Sequence, residues 1–134
     1  MTTIRKTILP VLLATLWVLF SEFLRNEILF KQLWVEHYKE LGLVFPSKPI
    51  NGVIWGIWSL FYATFIFIIS KKYKLLQTTI LSWFVGFVLM WLVLGNMGFL
   101  PYKLLYAAVP LSLLETFVAV IIIYKTQKKE YNFK

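Results

Sequence analysis

LLYAAVPLSLLETFVAVIIIY, residues 104–124, is the stretch whose reading decides the fold. Glu115 is its only ionisable carboxylate, and at ~1.5 Å of rise per residue the run is long enough to cross a ~30 Å hydrocarbon layer as a helix. Barrel strands alternate apolar and polar residues over about ten positions, whereas this run is uniformly apolar. In lipid, backbone groups must bond within their own segment, which leaves a helix.

Three further runs of the same kind lie upstream, over residues 8–24, 53–70 and 75–98. The chain is 60% hydrophobic and only 15% charged, against roughly 45–50% apolar usage in water-soluble domains, so a soluble core could not hide this much apolar surface. The expected fold class is all-α: an integral membrane four-helix bundle forming a single domain over residues 1–134. An amphipathic interfacial helix is expected between spans one and two. The first run follows Arg5 and Lys6 as the core of a secretory signal would, but no small-x-small cleavage site follows it, so it reads as a retained span.

Basic residues set the orientation. Arg5 and Lys6, then Lys71, Lys72 and Lys74, then Lys125, Lys128, Lys129 and Lys134 fall on one side. Arg25, Lys31, Lys39, Lys48 and Lys103 fall on the other. By the positive-inside rule the richer side is cytoplasmic, which puts both termini there, in a bacterial inner membrane. The formal charge of +8 is spread beside apolar spans and forms no continuous stripe, so membrane lipids are the expected partner and nucleic acid is not. The chain has no cysteine, which excludes disulfides, thiol catalysis and iron–sulfur clusters. Asp is absent too, so the acids are all Glu.

Between the first two spans, residues 28–41 carry Phe30, Leu33, Trp34, His37, Tyr38 and Leu41 at helical spacing, with Lys31, Gln32, Glu36, Lys39 and Glu40 between them. This amphipathic segment, ended at Gly42, either lies on the outer leaflet or continues the first span past the membrane. Pro46 and Pro49 break the chain before span two. The later loops are short, so spans two to four form successive antiparallel hairpins.

Helices associate in lipid through close packing, so small residues at i, i+4 spacing mark faces that meet. Gly52, Gly56, Ser59 and Ala63 form such a face on span two. Ala108, Ser112 and Ala119, with Glu115, form one on span four. Ser82 and Gly86 offer less on span three. These faces read either as contacts within one bundle or as the interface of a homo-oligomer.

Glu115 lies ten positions before Lys125, about 15 Å from the cytoplasmic boundary and near the bilayer centre. A charge there costs at least ~2.5 kcal/mol on insertion scales, so the group must be protonated, paired or beside water. It is either a proton or cation site or a carboxyl hydrogen-bonded to a neighbouring helix. Toward the outer end of span one, Glu22 shares a face with Arg25 and Asn26. This cluster either marks the membrane exit, with Arg25 reaching the headgroups, or joins Asn51 and Asn96, at the same level, around an outward-facing cavity. Pro110 should remove a backbone bond and free a carbonyl near Glu115. His37, the only histidine, is read as an interfacial polar contact, since it lacks the neighbours of a metal site. No metal site, catalytic residue or cofactor is assigned. Trp34, Trp55, Trp58, Tyr102 and Tyr106 near the outer boundary, with Tyr73, Trp83 and Tyr124 near the inner one, read as an aromatic belt.

In size, span number and possession of a membrane glutamate the chain resembles the small multidrug-resistance transporters, although their essential acid is in the middle of the first span and Glu22 is near its outer end. Glu22-Phe23-Leu24-Arg25-Asn26-Glu27 is similar to a polar helix motif of the four-helix membrane-associated eicosanoid and glutathione enzymes. It stands at a different place in the chain, so glutathione chemistry is not implied. The chain also resembles uncharacterised small bacterial four-span inner-membrane proteins, which implies fold and location alone.

Two functions are expected. The first is binding or movement of a small solute, ion or lipid through a polar cavity above Glu115, with Glu22, Arg25, Asn26, Asn51 and Asn96 contributing. The alternative is a non-catalytic subunit or assembly factor of a larger membrane complex. An enzyme ranks third, because acid–base chemistry would rest on Glu22, Glu115 or His37 without an activated partner.

Overall fold

The computed structural model describes residues 3–127, so Lys128, Lys129 and Lys134, which entered the charge comparison, lie outside the described residues. Among the described residues there is no strand. Five helices follow one another: α1 (Ile4–Leu29), α2 (Lys31–Glu40), α3 (Pro49–Ser70), α4 (Leu75–Asn96) and α5 (Tyr102–Thr126). All but α2 are long and apolar enough to cross a membrane.

Helix ends follow local chemistry. Pro49 opens α3 at a position where its missing N–H costs nothing, and Asn51 Oδ1 accepts the Lys48 N–H at 3.0 Å. The helix therefore starts four residues before the apolar run it was expected to begin with. Gly42 and Gly98 adopt left-handed φ of 72° and 79°. Behind each, an N–H reaches back five residues, Leu43 to the Tyr38 carbonyl at 2.8 Å and Phe99 to the Leu94 carbonyl at 3.0 Å, the glycine-dependent stop that closes α2 and α4.

The long helices run alternately up and down. α1 packs on α3 and α5, α4 packs on α3 and α5, and α3 touches α5 across the middle, leaving α1 and α4 at opposite corners. At the end holding residues 3 and 127, the termini end, Ala14, Val18, Ala63, Ile66, Ala119, Val120 and Ile123 are fully buried. At the opposite end Leu100, Leu104 and Ala108 form a smaller cluster, against which Phe30, Leu33 and Trp34 pack.

Of the two arrangements expected for the segment after span one, a straight continuation of that span does not occur. Phe30, at φ −123° and ψ 13°, breaks the helix, and α2 folds over the end of the bundle, where His37 Nε2 meets the Gly98 carbonyl at 2.7 Å.

The distribution of polarity is the inverse of that in a water-soluble bundle. Glu22, Arg25, Ser59, Thr78, Ser82, Ser112, Glu115 and Thr116 are buried, while Leu16, Phe20, Phe61, Ile68, Leu76 and Leu92 are exposed. Apolar side chains outside and polar groups inside is the arrangement that lipid as a solvent would favour.

Candidate functional site

On α1 the buried positions are Pro10, Ala14, Val18, Glu22 and Arg25, three steps of four residues and one of three, which is a single helical stripe. The stripe is apolar through Val18 and then becomes charged without leaving the interior. Within Leu24–Leu29 the helix widens to a π turn, with the Phe30 N–H donating to the Arg25 carbonyl at 2.9 Å. α4 has a π turn of its own at Phe84–Val88. Its Phe87 ring lies under the Arg25 guanidinium, 5.1 Å from Cζ to the ring centroid. Two locally unwound turns on opposite corners of the bundle thus meet across Arg25, a geometry common at functional sites.

Arg25 is held from two sides. Its Nη1 donates to Glu115 Oε2 on α5 at 3.1 Å, and its Nη2 donates to Glu22 Oε1 on its own helix. All three residues are nearly inaccessible, at 3%, 6% and 2% exposure for Glu22, Arg25 and Glu115. Asn26 Nδ2 donates to Glu22 Oε2 at 2.9 Å, and the Trp34 indole on α2 donates to Asn26 Oδ1 at 3.0 Å. A continuous polar chain therefore runs from α2 through Asn26, Glu22 and Arg25 to Glu115. Two carboxylates share one guanidinium, and Glu115 Oε1 is buried without a hydrogen-bond partner.

Above this chain, at the α2 end, lies a partly open cavity of about 740 Å³. Glu22, Arg25, Asn26 and Asn51 are on its wall. The structure thus brings together four of the six polar residues singled out from the sequence. Glu115 is not on the wall and stands behind Arg25. Asn96 is exposed at the end of α4 and does not line the cavity. Depth along a helix set its expected place, but the residue lies on the outer side of α4. Arg25 does not reach outward to a headgroup; it turns inward because two acids await it there.

The small-residue faces divide in the same way. Ser59, Ala63, Ala108, Ser112 and Ala119 are buried. Gly52 is exposed and Gly56 half-buried, and a Cβ on either would meet nothing within 4 Å. Neither is a close-approach position among the described residues, and Gly52 borders the cavity. Gly86 is the close-approach glycine: a Cβ there would run into the Tyr62 ring.

Pro110 frees the Tyr106 carbonyl, four residues before it, on the side away from Glu115. The side chain that reaches the Glu115 backbone is Trp17, whose indole donates to its carbonyl at 2.9 Å.

Several aromatics expected in an interfacial belt have inward roles. Trp34 and Trp55 line the cavity with Tyr38, Phe45 and Trp91. The Trp83 indole donates to Ser112 Oγ at 2.9 Å. Tyr124, only 4% exposed, places its hydroxyl 3.1 Å from Thr78 Oγ1 and 3.2 Å from the Ser70 carbonyl. Trp17, Tyr62, Phe87 and Trp91 were not singled out from the sequence. For Trp17 a signal existed, since it neighbours the buried stripe that ends in Arg25. Phe87 and Trp91 sit in an apolar run without periodic contrast, and nothing in it marks their inward face.

No protein-family model, curated protein or solved structure matches the chain.

Proposed function

We propose that the chain is a multi-pass protein of the bacterial inner membrane, with both termini cytoplasmic. In this reading it binds or moves a small solute, ion or lipid through the cavity at the α2 end, which faces outward. The observation that carries the reading is the meeting of Glu22, Arg25, Asn26 and Asn51 at one cavity of about 740 Å³. That volume is within the usual range for small-molecule sites, and its mostly apolar wall with a few convergent polar groups is their usual composition. Membrane insertion is supported by four long apolar helices whose polar groups face one another. Buried charge at such depth is costly and marks sites that bind or conduct. The cost is offset here by pairing, and Glu22 and Arg25 still border open space.

Because the protein has no cysteine, single introduced thiols report accessibility cleanly. Gly52→Cys places a thiol on the exposed part of the cavity wall, where an added side chain meets nothing within 4 Å, and Lys72→Cys places one in the α3–α4 loop. With a membrane-impermeant maleimide on intact cells, Gly52→Cys is expected to label, and Lys72→Cys only after the membrane is opened. Reversal of the two reactivities would overturn the orientation. A Gly52→Cys thiol unreactive from both sides would remove the water-accessible cavity and the function built on it.

A further inference from the structure

We infer that the cavity takes the head region of a membrane glycerophospholipid, with the phosphate at the rim, the ester carbonyls deeper and the acyl chains leaving toward the hydrocarbon; the inference rests on the cavity being a binding site. Three observations lead to it.

The first is which polar groups on the wall remain open. Both Glu22 carboxylate oxygens are engaged, one by Arg25 and the other by Asn26. Arg25 has one Nη on Glu22 and one on Glu115, and the Asn26 side-chain oxygen holds the Trp34 indole. Glu27 is paired with Lys31 at 3.0 Å. These groups answer one another. Ser47 Oγ, Lys48 Nζ, Asn51 Nδ2 and the indole nitrogens of Trp55 and Trp91 are on the same wall and have no hydrogen-bond acceptor among the described residues. Ammonium, amide N–H and indole N–H groups only donate. The complementary ligand therefore brings acceptor oxygens.

The second is the level of these donors and the charge at the outermost. Of the described charged side chains on the wall, Lys48 alone has no ion pair. It is exposed at the entry to α3, beside Ser47. Asn51 follows on α3, and Trp55 comes seven residues after Lys48, ~10 Å farther along the helix. Acceptors are thus called for at two levels, with negative charge at the outer one. A glycerophospholipid has this order, a phosphate diester outside and two ester carbonyls below it, and an ammonium binds phosphate as a point charge. A free phosphate ester would use the rim alone.

The third is the route for the chains. Phe23 and Ile54 line the cavity and are also 55% and 56% exposed on the apolar outer surface. Gly52, on the same wall, adds no side chain, and a Cβ there would meet nothing within 4 Å. Leu19, Met90 and Leu94 extend the apolar lining. Chains seated on this surface stay in an apolar environment from the cavity to the hydrocarbon, so the lipid enters without its tails crossing water.

Quenching of the intrinsic tryptophan fluorescence of the purified protein in mild detergent, by lipids with brominated acyl chains, tests the inference. Phosphatidylglycerol is expected to bind at least about tenfold more tightly than the diacylglycerol with the same chains, which lacks the phosphate. Glycerol 3-phosphate, a phosphate ester without chains, is expected not to displace the lipid even at about hundredfold excess, because it forgoes the apolar contacts. Lys48→Gln, at an exposed position, is expected to weaken phosphatidylglycerol about fivefold and leave diacylglycerol unchanged. Gly52→Leu, which places a side chain in the open space, is expected to weaken both lipids.

Diacylglycerol binding as tight as phosphatidylglycerol and weakened by Gly52→Leu, or a phosphate preference that Lys48→Gln leaves intact, would overturn the phospholipid inference while leaving the cavity as a site. Displacement by glycerol 3-phosphate at a concentration comparable to the lipid's would make the ligand a free phosphate ester and overturn it in the same way. Absence of binding by either lipid, or quenching indifferent to Gly52→Leu, would overturn both the inference and the site. The comparison of the two lipids uses the natural sequence, so it decides the matter whatever the variants' stability.

Discussion

The two halves of the bundle use the same helix stripes for different ends. Toward the termini the interior is Ala14 and Val18 on α1, Ala63 and Ile66 on α3, and Ala119, Val120 and Ile123 on α5, every one with no accessible surface. Small residues let backbones approach and branched ones fill what is left, the usual way helices adhere where lipid gives no hydrophobic drive. The Tyr124 hydroxyl fastens this half, reaching the Ser70 and Tyr73 carbonyls and Thr78. Toward α2 the stripe on α1 turns from Val18 to Glu22 and Arg25, and α4 contributes Trp91 and Leu94. Large and charged side chains hold the helices apart, and a cavity opens. The charged cluster is the partition between a solid half and a hollow one. Its cost is borne where packing on one side and mutual pairing on the other sustain it.

Arg25 is where the two halves depend on each other most. Arg25→Leu leaves two buried carboxylates without a counter-charge, a kind of change that costs about 3–5 kcal/mol. Thermal unfolding of the purified protein in detergent is expected to show a larger loss for this substitution than for any change of glycine or tryptophan in the bundle. Arg25→Lys is expected to recover little, because an ammonium lacks the planar fork that reaches carboxylates on two helices at once. A fully stable Arg25→Leu protein would mean that the cluster is no partition at all.

A smaller effect separates two kinds of glycine. Gly86→Ala drives a methyl group into the Tyr62 ring, which stacks on Trp58 at 5.0 Å and bonds Thr116 at 2.9 Å. Overpacking of this kind costs about 1–3 kcal/mol. Gly56→Ala meets open space and trades a flexible residue for a good helix former, so the same melting measurement is expected to show a change within about 0.5 kcal/mol or a slight gain. Equal losses at the two positions would show that Gly56 is covered, as a second copy of the chain would cover it.

That contrast also shows how far the sequence could be read. The four long helices are legible in hydropathy because a twenty-residue apolar run has few alternatives. Their ends are less so: α1 runs on to Leu29 and α3 begins at Pro49, since polar residues that face inward, or that cap, look in sequence like the edge of a membrane. Glu22, Arg25, Asn26, Asn51 and Glu115 stand out by the cost of burying them, yet the Arg25–Glu115 pair joins helices 90 residues apart and has no local signature. Spacing on one helix showed Glu22 beside Arg25 but not the second acid. Gly52 and Gly56 share a stripe with Ser59 and Ala63, and periodicity cannot tell a stripe covered along its whole length from one covered only halfway. The wall of the cavity is hidden for a further reason: aromatics at membrane depth serve equally as belt, core or lining.

The smallest expected effect lies in the hollow half and concerns α2. The Trp34 indole is bound to Asn26, which in turn holds Glu22, while its ring rests on the Leu100 and Leu104 cluster. Trp34→Phe keeps most of the ring and removes the N–H, a loss of about 0.5–1.5 kcal/mol for a hydrogen bond of this kind. α2 is exposed along one side and has none of the fully buried residues that secure the other helices, so the loss should be felt there and not in the core. In hydrogen–deuterium exchange, amides of residues 31–41 are expected to exchange several-fold faster in the variant, with those of residues 59–67 unchanged, because local opening draws on local contacts. Faster exchange in both segments would mean that the polar chain from Trp34 to Glu115 couples the two halves. Unchanged exchange in both would mean that apolar packing alone holds α2 over the cavity.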